Sequence, residues 1–284
     1  MTVLRSLTKY SKYIIFSFLL VQCGFIWAHG ELDSRIQGLT EQIEEKPDFD
    51  SLYILRGTLY FQHEEYLKSI RDFEKVESLS GPSVVVSMSY AKAWHRLSEY
   101  DFAIENVNNA ITMNPNNAVA HRLRANVLMD QRKFEDAAES FELVLDKSGK
   151  RITEHYTEYL VSLDSINTRD SGEKAIAVLN RGINDLGKLP LFTKAIVDQH
   201  TKLKDYTNAI AIQTTLIEES NRKERHLFKR AQLYSDINEI EKSLQDIVAA
   251  HEEIDALPQR YAHSNPMKLL KFELDALYKK LDLK

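Results

Sequence analysis

The sequence predicts an all-α fold built from repeated helix pairs, and three observations lead to it. Residues 99–115 read as one amphipathic helix, because their apolar side chains recur at three- and four-residue steps and Pro115 ends the pattern. The same pattern returns 34 residues later, over residues 133–149. With only nine glycines and six prolines among 284 residues, the chain favours long helices joined by short turns.

A small residue marks the repeat along the body of the chain. It falls at Ser69, Ala103, Ala137, Ala175, Ala209 and Ser243. The successive steps are 34, 34, 38, 34 and 34 residues, so one repeat carries four extra residues. The turn-like stretch 165–172 is the most economical place for them. A partner helix with its own small and large markers precedes each marked helix, which is what close antiparallel packing of two helices requires.

These residues resemble the tetratricopeptide repeat family, whose 34-residue helix–turn–helix unit has small residues at unit positions 8 and 20 and often proline at 32. Residues 84–117 supply Ala91, Ala103 and Pro115 at those three positions. The predicted repeats span 50–83, 84–117, 118–151, 152–189, 190–223 and 224–257. Two of them depart from the pattern, because Tyr159 occupies a small position and Gln213 stands where a bulky residue is usual. The resemblance implies a right-handed α–α solenoid, or superhelix, of about six helix pairs.

Each end of the array is predicted to carry a capping helix, because an open stack of repeats must cover its terminal apolar faces. Residues 29–49 contain a lone amphipathic helix that closes on Pro47. At the other end, residues 258–284 contain a helix that Pro266 starts in its first turn.

Residues 1–28 differ from the rest of the chain. Three basic residues precede an uncharged run over 13–28, which is the layout of a secretory signal peptide. Three outcomes stay open: cleavage after Ala28, lipidation of Cys23, and retention as an anchor, although the run is shorter than the ~20 residues that span a bilayer. The sequence therefore predicts an exported bacterial protein of the periplasm or cell envelope. Its only membrane attachment would be that anchor or a lipid on Cys23.

Composition and motifs argue against catalysis and nucleic-acid binding. A net charge of −5 is opposite to the cationic surface that phosphate binding needs. The motifs G-x-x-x-x-G-K-[ST], G-x-S-x-G and H-E-x-x-H are all absent from the sequence. We therefore expect no enzymatic activity, no cofactor and no metal site. His121 and His155, at one unit position, and His29, first after a cut at Ala28, keep a metal-binding or enzymatic accessory role as an alternative.

In the tetratricopeptide family the first helices line a concave groove, mainly through unit positions 2, 5, 9, 12 and 13. Here the ligand-groove candidates are Met88, Lys92, His95, Arg96, Arg122, Asn126, Met129 and Tyr156. In the fifth and sixth repeats the same face carries Lys194, Asp198, Lys202, Phe228, Gln232 and Asp236.

Lys92, Arg122 and Asn126 resemble part of a clamp for carboxylates, and a solvated groove of mixed charge is the alternative. The predicted function is a non-catalytic scaffold that binds a peptide or a partner protein in this groove. A structural or assembly subunit of an outer-membrane or secretion complex is the second hypothesis. The sequence does not predict the oligomeric state.

Overall fold

Helices are the only regular elements in the computed structural model over residues 30–282, the part of the chain that the structure describes. The predicted leader, with Cys23, Ala28 and His29, lies outside the described residues. The first helix, α1, spans residues 30–45. The others are α2 Asp50–Gln62, α3 Tyr66–Ser80, α4 Val84–Arg96, α5 Tyr100–Met113, α6 Ala118–Asp130, α7 Phe134–Lys147, α8 Thr153–Ile166, α9 Arg169–Leu186, α10 Pro190–Lys202, α11 Tyr206–Glu219, α12 Glu224–Asp236, α13 Ile240–Asp255, α14 Gln259–Ala262 and α15 Asn265–Asp282.

The described part of the chain divides into two compact halves, one ending at Gly149 and the other beginning at Lys150. In the N-terminal half α2 packs against α3, α4 against α5, and α6 against α7. In the C-terminal half the pairs are α8 with α9, α10 with α11, and α12 with α13, and α15 packs against α12 and α13. This pairing confirms the predicted all-α array of helix pairs.

A residue with a left-handed backbone ends the first helix of every pair in the described part of the chain. These residues are Glu64, Ser98, Arg132, Asn167, Lys204 and Asn238. In five of the six pairs the following amide donates to the carbonyl five residues earlier, as Glu99 N does to Trp94 O at 2.9 Å. This is the Schellman C-cap, which satisfies carbonyls at the helix end. The bend reverses the chain, so the second helix returns antiparallel to the first.

The four-residue insertion falls around 165–172, as predicted, but the structure accommodates it as helix and not as a longer turn. Ala175 lies eight residues after the left-handed residue of its pair, whereas this interval is five residues in the other five pairs. Only Asn167 and Thr168 separate α8 from α9, which runs for 18 residues. The reason is a capping box in which Ser171 N donates to Thr168 Oγ1 at 3.2 Å and Thr168 N donates to Ser171 Oγ at 3.0 Å.

Small side chains sit where the helices of a pair approach most closely. The fully buried alanines at the marker positions are Ala91, Ala103, Ala125, Ala137, Ala175, Ala209 and Ala231. Gly182 of α9 allows a close contact with α10 of the next pair, because a Cβ atom placed on it would lie 2.9 Å from the ring of Phe192. Any larger residue at these sites would push the two helices apart.

A largely buried ion pair joins the two helices of the first repeat and recurs in the last one. Arg56 of α2 donates to the two carboxylate oxygens of Asp72 at 2.9 and 2.7 Å, and its Nη1 donates to Thr40 Oγ1 of α1 at 3.1 Å. The same bonds, at 2.8, 2.7 and 2.9 Å, join Arg230, Asp246 and Thr214. Thr214 belongs to α11, the second helix of its pair. The capping helix α1 therefore holds the place of a second helix.

Two glycine-to-alanine substitutions are expected to act in opposite directions. Both sites are helical, so alanine gains about 0.5–1 kcal/mol of helix propensity at each. Gly38 of α1 has no atom within 4 Å of an added Cβ, so Gly38→Ala should stabilise the protein by about that amount. Gly182→Ala should destabilise it by roughly 1–3 kcal/mol, because the Cβ meets the rings of Phe192 and Tyr156. Urea unfolding measures both; a shift of the same sign in the two variants would contradict the packing described here.

Candidate functional site

A groove in the C-terminal half is a concave surface large enough for a ligand. It has a volume of ≈ 650 Å³ and lies between α10, α12 and α15, with α11 beneath. Its apolar lining consists of Val197, Leu216, Phe228 and Leu270. Val197 and Leu270 are almost fully buried, so they form a fixed floor, while Phe228 and Leu216 are partly exposed. We call this surface the C-terminal groove.

Local sequence explains why these side chains converge. Pro190 occupies the first turn of α10, where a missing N–H costs nothing, and it fixes the start of that helix at the mouth of the groove. On α12 the buried Leu227 and Ala231 face the core, and Phe228 is turned towards the groove. Leu270 belongs to the apolar face with which α15 packs on the last pair, so one side chain serves both the cap and the groove.

A polar pair interrupts the apolar lining. Gln213 of α11 is 5% exposed, and its Oε1 lies 3.1 Å from Nδ1 of His226 on α12. A carboxamide oxygen only accepts, so Nδ1 of His226 carries the proton and its Nε2 is an acceptor. Burial lowers the pKa of His226 below its ordinary value of 6.5, and the nearby Glu224 carboxylate opposes this only in part. His226 is therefore neutral at pH 7.

The charges around the C-terminal groove are only partly balanced. Lys188 pairs with Glu219 at 2.5 Å, and Lys229 pairs with Asp198 at 3.3 Å. Lys194 and Arg225, also in the lining, have no ion-pair partner among residues 30–282, and neither has Glu273 of α15. The groove thus presents an apolar floor with two cations and one carboxylate available to a ligand.

The candidates predicted from the sequence lie mostly in the N-terminal half, on α4 and α6. His95 of α4 and Asp130 of α6 approach to 2.7 Å, so the first helices of neighbouring pairs meet along this face. Arg96 donates through Nε to the hydroxyl of Tyr66 at 3.0 Å and lies over its ring. Lys92 is exposed on α4, and three candidates on α6 are partly exposed. These three are Arg122, Asn126 and Met129.

Two predicted groove residues, Met88 and Tyr156, lie in the core. Met88 is 7% exposed and packs with Ala91, Val107 and other apolar residues of α4 to α6. Tyr156 is fully buried on α8, where its ring meets Phe192 edge-on at 5.7 Å and its hydroxyl donates to Asp185. Their position in the repeat turns inward towards the second helix here, so neither side chain is available to a ligand.

Sequence reasoning named part of the C-terminal groove and missed the rest. Four side chains that the repeat pattern placed on the inner face do line it, namely Lys194, Asp198, Phe228 and Gln232. The pattern does not indicate Leu270, because α15 lies outside the repeats. Gln213 carried a signal as a polar residue at a usually bulky position. His226 carried none.

The described residues contain neither a cluster suited to a metal ion nor a helix suited to crossing a membrane. Within residues 30–282 no three His, Cys, Asp or Glu side chains are grouped so that they would hold a metal ion. His121 is 3% exposed, and its Nε2 lies 3.0 Å from the carbonyl oxygen of Pro115, to which it donates. None of the helices in this range is both long and apolar enough to cross a bilayer.

Comparison with known proteins informs the fold. No protein-family model matches the sequence, and no curated protein sequence matches it. The solved structure of Naa15/Naa10 bound to HypK-THB aligns with 87% of this chain and 43% of its own, at 12% identity and a TM-score of 0.54. A tetratricopeptide repeat protein from Parabacteroides merdae ATCC 43184 aligns with 87% of this chain and 93% of its own, at 15% identity and a TM-score of 0.49. YrrB, described as a TPR protein with an unusual peptide-binding site, aligns with 72% of this chain and 97% of its own, at 14% identity and a TM-score of 0.47.

Helix pairs, their 34-residue step and the structural match at a TM-score of 0.54 define the fold. The chain has the tetratricopeptide repeat fold. At identities this low the likeness concerns the fold alone.

The depressed pKa of His226 makes stability depend on pH. The unfolded chain binds the proton near pH 6.5, whereas the folded chain binds it only at lower pH, so stability falls as pH drops from 6.5 through the folded pKa. Urea unfolding at pH 7.5 and pH 5 should show this loss, and His226→Gln should show a smaller one. An NMR titration should place the His226 midpoint below 6.5; a midpoint at or above that value would contradict the burial argument.

Proposed function

We propose that this protein is a non-catalytic scaffold that binds a peptide segment of a partner protein in the C-terminal groove. The observation that carries the proposal is an apolar cavity of ≈ 650 Å³ whose floor is made of buried side chains. Ligand sites in proteins commonly enclose about 300–1,000 Å³ and are mostly apolar with a few polar groups. The floor formed by Val197 and Leu270 is rigid and suits an apolar anchor side chain of a peptide.

The rim favours a polar chain over a purely hydrophobic ligand. Lys194 and Arg225 are exposed cations without an ion-pair partner in the described part of the chain, so they remain free to pair with carboxylates. Glu273 on the opposite wall offers an acceptor to amides or cations. A peptide supplies apolar side chains, charged side chains and main-chain amides together, which a small apolar molecule does not.

A second candidate is a structural subunit that docks through an outer surface. Its supporting observation is the outward side of α15, where Phe272 is 71% exposed and Leu269 is 58% exposed. These two side chains, three residues apart on one helix, lie on one face. They point away from the face of α15 that packs on the last helix pair. If the partner docks on this outer side, substitutions in the C-terminal groove would leave its binding unchanged.

Phe228→Ala and Phe272→Ala form a matched pair that separates these functions. Peptides selected from a random displayed library on the purified protein serve as the probe, and titration calorimetry measures their affinity. Phe228→Ala should weaken binding about tenfold or more, because it removes the central aromatic contact. Phe272→Ala should leave binding unchanged, and both variants should keep the wild-type helical circular dichroism. Equal binding by wild type and Phe228→Ala would overturn groove binding, and loss in Phe272→Ala alone would favour the outer surface.

We further propose that the chain is exported to the cell envelope, which rests on the basic lead and the uncharged run over 13–28. Intact-mass measurement of the protein purified from its native cells tests this. Cleavage after Ala28 predicts a chain that begins at His29, and lipidation predicts one that begins at a modified Cys23. A full-length chain recovered with the membrane fraction would indicate a retained anchor. A full-length chain found only in the soluble cytoplasmic fraction would overturn export.

A further inference from the structure

Gln213 breaks the apolar pattern of the repeat at a buried site. The equivalent residue is Phe73, Val107, Phe141, Leu179 and Ile247 in the other five pairs, four residues after each small marker. Those five residues are at most 2% exposed, and Gln213, at 5%, is buried almost as deeply. A buried carboxamide costs free energy that an aliphatic side chain does not, unless its hydrogen bonds are made. Packing alone gives no reason for a glutamine here.

Within residues 30–282 the Gln213 side chain makes one hydrogen bond, and its partner also lines the C-terminal groove. Gln213 Oε1 accepts from Nδ1 of His226, and both side chains line the cavity. Two nitrogens are left over, Gln213 Nε2 and His226 Nε2, and neither has a hydrogen-bond partner among residues 30–282. The first is a donor and the second, in the tautomer fixed by Gln213, is an acceptor. The pair therefore presents one donor and one acceptor in the wall of the C-terminal groove.

We propose that Gln213 and His226 together recognise amide groups of the bound peptide. Gln213 Nε2 donates to the carbonyl of one amide, and His226 Nε2 accepts from the N–H of another. These amides belong either to the peptide main chain or to asparagine or glutamine side chains, since both present this chemistry. This inference rests on the proposed function and adds the recognition group within the same groove. A ligand that displaces water from the pair and leaves either nitrogen without a partner binds less tightly.

Gln213→Leu separates recognition from stability, because leucine is the kind of residue that the other pairs have at this site. The variant should melt at or above the wild-type temperature, since a buried polar group is replaced by an apolar one of similar size. Its affinity for the peptide selected on the wild-type groove should fall about tenfold or more, as measured by fluorescence anisotropy. His226→Phe should show the same loss and serves as an independent second variant.

Gln199→Leu is the matched control. Gln199 is 3% exposed in the same half of the chain, but it donates to Asp164 at 2.6 Å and lies outside the C-terminal groove. Peptide affinity should be unchanged in this variant. If Gln213→Leu lowers the stability and leaves the peptide affinity unchanged, the Gln213–His226 pair is a packing feature and the inference is overturned.

The peptide itself distinguishes the two sources of the amide. Methylating main-chain nitrogens one at a time should abolish the His226 contribution at one position if the main chain is recognised. Replacing each asparagine or glutamine with leucine should do so if a side chain is recognised. A peptide whose binding needs Phe228 but is insensitive to Gln213→Leu overturns this inference and leaves the proposed function intact. A library that yields no peptide dependent on Phe228 overturns both.

Discussion

Close approach of paired helices is the constraint on which the rest of this structure depends. Ala91 and Ala103 are fully buried at matching places in one pair, and the same two places recur in the other regular pairs. With the contact fixed at a small residue, the length of the turn between the helices is fixed too. None of the six left-handed residues at these turns is glycine, and two of them are Arg132 and Lys204. A left-handed backbone costs a residue with a side chain about 1 kcal/mol, so helix packing outweighs that cost here.

The 34-residue spacing predicted the fold. The same spacing predicted only part of the C-terminal groove, because it was the only signal available. A 34-residue step reports which side chains face the core whatever those side chains do chemically, so the helix pairs could be derived from composition and position. The irregular fourth repeat shows the limit of that argument. Tyr156 has the register of a groove residue, but it packs on Phe192, because Gly182 leaves room for both rings. The other repeats have a larger residue in place of Gly182, so the repeat pattern does not indicate that a buried tyrosine fits here.

The C-terminal groove depends on an element that has no repeat register at all. α15 covers the apolar face of the last pair, as a cap must, and the same helix brings Leu270 and Glu273 to the groove wall. The repeat pattern therefore indicates Lys194 and Phe228 but does not predict the wall that α15 forms. Changes that loosen the cap are expected to reshape the site, since Leu270 is 2% exposed and serves both.

Free energy also explains why a polar pair belongs in this groove and not elsewhere in the core. Burying an amide costs about 1–3 kcal/mol, and one intramolecular hydrogen bond returns about 0.5–1.5 kcal/mol, so the contact with His226 offsets only part of the cost of Gln213. The Arg56–Asp72 pair differs, because its two carboxylate contacts and the bond to Thr40 satisfy the buried guanidinium within the protein. A satisfied network of that kind leaves no buried charge without a partner. The Gln213–His226 pair is incompletely satisfied within the protein. In the proposed complex the bound peptide supplies the missing hydrogen bonds, so the stability lost in the free protein favours binding.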